Sequence, residues 1–215
     1  MRTNLIVIDD FYNNVDSVRE FALAQDFYIK GSYPGARTEN FINESTKNQI
    51  QDIIYSYSGN VTNWMDDQPK DLLHFAQSDN VQNNPYLHKD ETSTEKGTGY
   101  TGAFQISYAS DRSWIHTDNN NNWAGVLYLT PDAPTVGGTG FYRSKINGSI
   151  YGQNDDDVGT YGQDKSKWDL VNEVHNIYNR LILFRSDQWH TSMEYFGNDN
   201  ETGRLTQVFF FTTEQ

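Results

Sequence analysis

Four short apolar runs constrain this chain more than any other feature. Gly102–Tyr108, Trp123–Thr130, Leu181–Phe184 and Arg204–Thr212 are separated by polar segments rich in Asn, Asp and Gly. Short runs of aromatic and β-branched residues bounded by turn residues read as strands of a largely buried sheet. The composition agrees: 16 Gly, 14 Tyr and an aromatic fraction of 14% favour strands joined by polar turns over a helical bundle. At 215 residues, with no internal repeat or linker, residues 1–215 read as a single domain, mainly β with flanking helices.

The amino-terminal part supplies the helices. Leu5–Ile8 reads as a first strand, and Asp10 or Asn14 caps a helix over about Val15–Gln25 with Val15, Val18, Phe21, Ala22 and Leu23 near one apolar stripe. Pro34-Gly35 marks Gly31–Arg37 as a turn or loop. Ile50, Ile53, Ile54 and Tyr57 recur at helical spacing and predict a second helix over Ser45–Tyr57, so residues of about 10–60 give helical support to the sheet. A strand is expected around Leu72–Gln77, and residues 144–170 read as a long Gly- and Asp-rich insertion, a lid or a surface loop. Its Asp155-Asp156-Asp157 run reads as a solvated turn.

Charge and cysteine usage remove several classes of function. The net charge of −13, from 16 Lys+Arg and 29 Asp+Glu, argues against nucleic acid or an anionic membrane as the main partner. No cysteine is present, so thiolate zinc sites, iron–sulfur clusters and a cysteine nucleophile are excluded. The apolar run at the amino terminus is too short for a membrane span or secretory signal, and the expectation is a cytoplasmic protein with no membrane partner. Nothing in the sequence speaks to oligomeric state.

Any transition metal must therefore be held by histidine and carboxylate. In Trp114-Ile115-His116-Thr117-Asp118 the histidine and the aspartate share one face if the segment is extended, because strand side chains alternate with period two. One histidine from another strand completes a face of two imidazoles and a carboxylate, a set that suits non-haem Fe(II). A second triplet, His88-Lys89-Asp90, lies in a charged segment without strand pattern and reads as solvated, whereas His116 lies between two strands. His190 opens a segment after an apolar strand, and Arg204 and Thr206 share one face of the last strand. A guanidinium in a dry interior needs an anionic partner, and a bound dicarboxylate would serve. His74 and His175 are assigned to the surface or to supporting roles, with Glu173 and His175 able to pair on one strand face.

In the order Gln105-Ile106-Ser107-Tyr108, His116-Thr117-Asp118, Gly125–Leu129, Gly137–Phe141, His190 and Arg204-Leu205-Thr206, the chain resembles the 2-oxoglutarate- and Fe(II)-dependent dioxygenases. Within them it is most similar to the prolyl-4-hydroxylase-like branch, including small phage and bacterial members of unassigned substrate. Val7–Phe11 and Tyr33-Pro34-Gly35 add to the likeness. The resemblance implies a double-stranded β-helix, a distorted jelly roll of cupin-like form. It implies His116, Asp118 and His190 as iron ligands, and Arg204 with Thr206 or Tyr108 as the site of 2-oxoglutarate. The cosubstrates would be 2-oxoglutarate and O2, and the reaction hydroxylation of a protein side chain, amino acid or small metabolite with release of succinate and CO2. Prolyl hydroxylases often carry lysine where this chain has Arg204, which weakens proline as the expected substrate. Trp123, Arg143 and Trp189 are candidates for substrate contact, beside an equally weighted role in packing. Two other readings stay open: a non-catalytic β-sandwich binding module, carbohydrate- or virion-associated, and a cupin-like metal enzyme without a keto acid.

Overall fold

The computed structural model describes residues 3–31, 33–65, 101–118, 121–152 and 161–215. In chain order these form β1 (Leu5–Ile8), α1 (Val15–Leu23), β2 (Ile29–Gly31), β3 (Tyr33–Asn40), α2 (Glu44–Ser58) and β4 (Val61–Trp64). There follow β5 (Ala103–Ser107), β6 (Trp123–Tyr128), β7 (Thr139–Ser144), β8 (Trp168–Val174), β9 (Leu181–Arg185), β10 (His190–Ser192) and β11 (Arg204–Thr213). An eight-stranded sheet runs β1-β9-β6-β11-β5-β3-β2, with β4 also paired to β11. A three-stranded sheet runs β10-β7-β8, and an antiparallel bridge between His116 and His190 adds the His116 segment beside β10.

From β5 onward the chain passes between the two sheets. β5, β6, β9 and β11 lie in the larger one, and the His116 segment, β7, β8 and β10 lie in the smaller one. This alternation of antiparallel strands is a double-stranded β-helix.

Period-two alternation on the central strands divides the core into two layers. Phe104 and Ile106 of β5, Leu181 and Leu183 of β9, and Leu205, Phe209 and Phe211 of β11 point outward. There they meet Ala22 of α1 and Ile50 and Ile54 of α2. Ala124, Tyr128, Ile182, Phe184, Val208 and Phe210 point inward and pack with Phe141 and Val174 of the smaller sheet. The polar inward residues Gln105, Arg204 and Thr206 share this layer and line its cavity.

Both helices follow from their sequences. Asn43 caps α2, its side-chain oxygen accepting from the Thr46 N–H at 2.9 Å, and Gly59 ends it at φ 75°. Asn14 stands at the N-cap of α1 without a side-chain capping bond, and the backbone bond from Val18 to the Asn14 carbonyl begins the helix. Phe21 stays 46% exposed, its ring edge-on to Phe41.

Three expectations are corrected. The segment read as a loop from Pro34-Gly35 contains the end of β2 and the start of β3. Gly35 has φ +72°, and a Cβ there would lie 1.9 Å from the Ile106 carbonyl oxygen, so glycine lets β3 approach β5. β4 follows α2 where no strand was expected. The stretch read as an insertion ends earlier, since β8 begins at Trp168 and pairs along β7 from Ser144. The expected strand at Leu72–Gln77, His74, the triplet His88-Lys89-Asp90 and the Asp155–Asp157 run lie outside the described residues. No helix among the described residues is long and apolar enough to cross a membrane.

Candidate metal centre

His116, Asp118 and His190 come together between the sheets, with one ligand atom from each within 4.8 Å of the others. Their backbones are tied first. The N–H of His116 donates to the His190 carbonyl at 3.0 Å and the N–H of His190 to the His116 carbonyl at 2.9 Å. The N–H of Asp118 donates to the Ser186 carbonyl at 2.8 Å. The His116 segment is a bridge instead of a full strand, yet it keeps the alternation that sets His116 and Asp118 on one side.

Each imidazole is then oriented by its own chain. Nδ1 of His116 lies 2.8 Å from the carbonyl oxygen of Trp114, and Nδ1 of His190 lies 2.9 Å from that of Gln188. A carbonyl only accepts, so a neutral ring carries its proton on Nδ1 and presents the Nε2 lone pair to the cavity. Both Nε2 atoms face the same carboxylate, His116 at 3.8 Å from Oδ1 and His190 at 3.4 Å from Oδ2 of Asp118. The ring of Phe184 meets His190 edge-on with centroids 4.6 Å apart.

The electrostatics favour the ligand forms of His116 and Asp118. Burial, followed by the charge of neighbouring His190, lowers the His116 imidazole to about 4, so it is neutral near pH 7. Burial pushes the Asp118 carboxyl up, but His190 and His116 outweigh it and hold the group below the ordinary carboxylate range. Two imidazole nitrogens and one carboxylate form a donor set that fits a divalent transition metal.

The same cavity contains Arg204 and Thr206. Arg204 is buried at 3% exposure, its Nε donates to the Gly137 carbonyl at 2.9 Å, and its guanidinium carbon lies 5.5 Å from the centre of the Tyr128 ring. The Tyr128 hydroxyl pairs with Thr139 at 2.8 Å. Tyr108 lies elsewhere: it is partly exposed and its hydroxyl donates to Asn200 Oδ1 at 2.5 Å. Trp123 belongs to the outer core, where its Nε1 donates to Ser58 Oγ at 3.0 Å, and Arg143 is exposed on β7. Trp189 is buried against Trp168, ring centroids 5.0 Å apart. His175 is exposed, one residue past the end of β8, and pairs with Glu173 at 2.9 Å.

Arg37 and Tyr195 also line the cavity, and neither was singled out in the sequence. Arg37 was hidden by the Pro-Gly signal two residues before it; strand alternation through β3 would have placed it beside Gln105. No local pattern marks Tyr195. A larger cleft of about 760 Å³, between the helices and the outer face of the sheet, has no acidic, basic or histidine side chain among its described lining residues.

No protein-family model and no curated protein sequence matches the chain. Among solved structures it is similar to a prolyl hydroxylase from Trichoplax adhaerens in complex with a hypoxia-inducible-factor peptide, at 15% identity and a TM-score of 0.40, covering 97% of this chain and 83% of that one. It is similar to a Pseudomonas putida prolyl-4-hydroxylase at 14% identity and a TM-score of 0.43, covering 99% and 94% of the two chains. The Fe(II)/α-ketoglutarate-dependent dioxygenase TqaL aligns at 11% identity and a TM-score of 0.43, covering 98% and 83%. At these scores the fold assignment rests on the chain's own strand order.

Proposed function

We propose that the protein is an Fe(II)- and 2-oxoglutarate-dependent dioxygenase that hydroxylates an amino acid, small metabolite or protein side chain. The observation that carries this reading is the meeting of His116, Asp118 and His190 in one cavity with buried Arg204. A metal enzyme with no keto acid would leave that guanidinium without a task.

In this reading the Nε2 atoms of His116 and His190 and the carboxylate of Asp118 hold the iron. The Trp114 and Gln188 carbonyls keep both rings in the ligating tautomer. Arg204, its Nε fixed by Gly137, receives the distal carboxylate of the keto acid through charge-assisted bonds, and Thr206 stands two residues along the same strand face. Val126, Phe184, Val208 and Phe210 line the cavity with apolar surface that excludes water. When bound, Fe(II) and 2-oxoglutarate supply the oxidising chemistry, one atom of O2 going to the substrate and the other to succinate as CO2 leaves.

Succinate formation from 2-oxoglutarate under Fe(II) and oxygen tests the proposal. The wild type is expected to form it, and Asp118→Ala to lower the rate by more than about a hundredfold with the fold intact. An inactive wild type, or full turnover by the variant, contradicts it.

A further inference from the structure

His116 and His190 are held by equivalent peptide planes, and what distinguishes them is one buried side chain. In the plane that serves His116, the Trp114 carbonyl faces Nδ1 and the Ile115 N–H donates to the Gly162 carbonyl at 2.8 Å. In the plane that serves His190, the Gln188 carbonyl faces Nδ1 and the Trp189 N–H donates to the Ile150 carbonyl at 3.0 Å. Each ring is thus set by a carbonyl two residues before it, in a plane pinned from its other edge.

The residues that supply those carbonyls differ. Trp114 places its indole against the His116 ring, centroids 5.6 Å apart. Gln188 is 6% exposed and reaches away from the site, its Nε2 donating to the Asn4 carbonyl at 2.5 Å. The same carbonyl accepts the Arg185 N–H at 3.0 Å, and the Gln188 N–H donates to the Arg185 carbonyl at 3.0 Å to close the turn after β9. Both lone pairs of Asn4 are therefore spent on this turn. Asn4 immediately precedes β1, whose Leu5 pairs with Phe184, and the Phe184 ring lies edge-on to His190. The turn that carries His190 hangs from the start of β1 by two donors, one backbone and one side chain. An apolar side chain of the same length would fill the space of Gln188 without fixing its direction.

We infer that Gln188 is a positioning residue for the metal ligand His190. Its side-chain amide, tied to Asn4, holds in place the carbonyl that receives the Nδ1 proton of His190, and so aims Nε2 at the metal beside Asp118. Through this bond β1, at the edge of the larger sheet, becomes part of the support of the metal centre. The inference rests on the metal centre of the proposed function and extends it to a side chain outside the cavity lining.

The test uses the full chain with isotope-labelled histidine, loaded with Zn(II), a redox-inert metal that accepts the same donors. Two Nδ1–H resonances are expected in the wild type, that of His190 identified by its contact with the Phe184 ring. Gln188→Met is expected to speed solvent exchange of the His190 proton about fivefold or more and to leave that of His116 within about twofold. Zn(II) affinity, measured by competition with a chelator, is expected to fall about tenfold. Gln188→Glu has the shape of glutamine and likewise lacks the donor near pH 7, so it is expected to behave in the same way. A merely structural role would lower the melting temperature with both protons and the metal affinity unchanged, or loosen the two rings together. Either of those results, or an effect confined to the methionine variant, overturns the inference and leaves the metal centre standing. A wild type that takes up no Zn(II) overturns the metal centre, and the inference with it.

Discussion

At the scale of single residues, the site is governed by which atoms hold protons and which charges lack water. The Trp114 and Gln188 carbonyls choose the tautomer of both histidines, a choice no side-chain substitution nearby would copy. Arg204 is the more accessible test. Replacing it with glutamine removes the buried charge that, in the proposed function, receives a keto-acid carboxylate, and buried pairs of that kind are worth about 3–5 kcal/mol when broken. The affinity for 2-oxoglutarate, measured by titration, is expected to fall by at least about a hundredfold, with Fe(II) affinity changed far less. Away from the cavity, burial raises the Tyr12 phenol to about 12, against a weaker opposing effect of its bond with Thr46. The native state then keeps a proton that the unfolded chain releases above its ordinary value of 10.0. Stability from this group is complete below pH 10 and is lost as pH rises towards 12, a change of about 2–3 kcal/mol. Denaturation across that range should show a smaller alkaline loss in Tyr12→Phe than in the wild type. An equal loss would contradict the assignment.

At the scale of elements, β3 carries the clearest lesson. Its Pro34-Gly35 pair has the composition of a turn, and by local chemistry alone it is one. Long-range pairing overrides that signal: Gly35 supplies the positive φ and the missing Cβ that let β3 run beside β5, and Arg37 enters the cavity as a result. Gly35→Ala would add both left-handed strain and an overlap with the Ile106 carbonyl, and chemical denaturation is expected to show a loss of at least about 2 kcal/mol. Wild-type stability in this variant would mean that β3 is held differently. By contrast α2, β5, β6, β9 and β11 could be read from the sequence, because each carries its own period and buries one or both faces. His116 and Asp118 could be read as a pair from their spacing. That His190 meets them, and that Tyr108 does not join Arg204, depend on how strands pair across the sheets, which no local pattern records. β4 and β8 have mostly exposed or half-exposed faces and therefore no apolar alternation to reveal them.

At the scale of the whole molecule, the larger sheet separates two tasks. Its outer face, covered by α1 and α2, supplies stability, and its inner face lines the cavity opposite His116 and His190 of the smaller sheet. β11 takes part in both, with Phe209 outward at 0% exposure and Arg204, Thr206 and Val208 inward. Phe209→Ala is expected to cost about 3–5 kcal/mol in unfolding free energy, as for other buried aromatics. Below its lowered melting temperature, metal affinity should stay close to that of the wild type. A large loss of metal affinity in the folded variant would contradict the separation of the two layers.

In the proposed function one cavity holds Fe(II) through His116, Asp118 and His190 and 2-oxoglutarate through Arg204. Anaerobic titration of the protein with Fe(II) and 2-oxoglutarate, followed by visible absorption, tests it most directly. A weak charge-transfer band that saturates with 2-oxoglutarate is expected in the wild type, with the band absent from His190→Ala and shifted to much higher 2-oxoglutarate concentrations in Arg204→Gln. A wild type without the band, or variants that keep it unchanged, would contradict the claim.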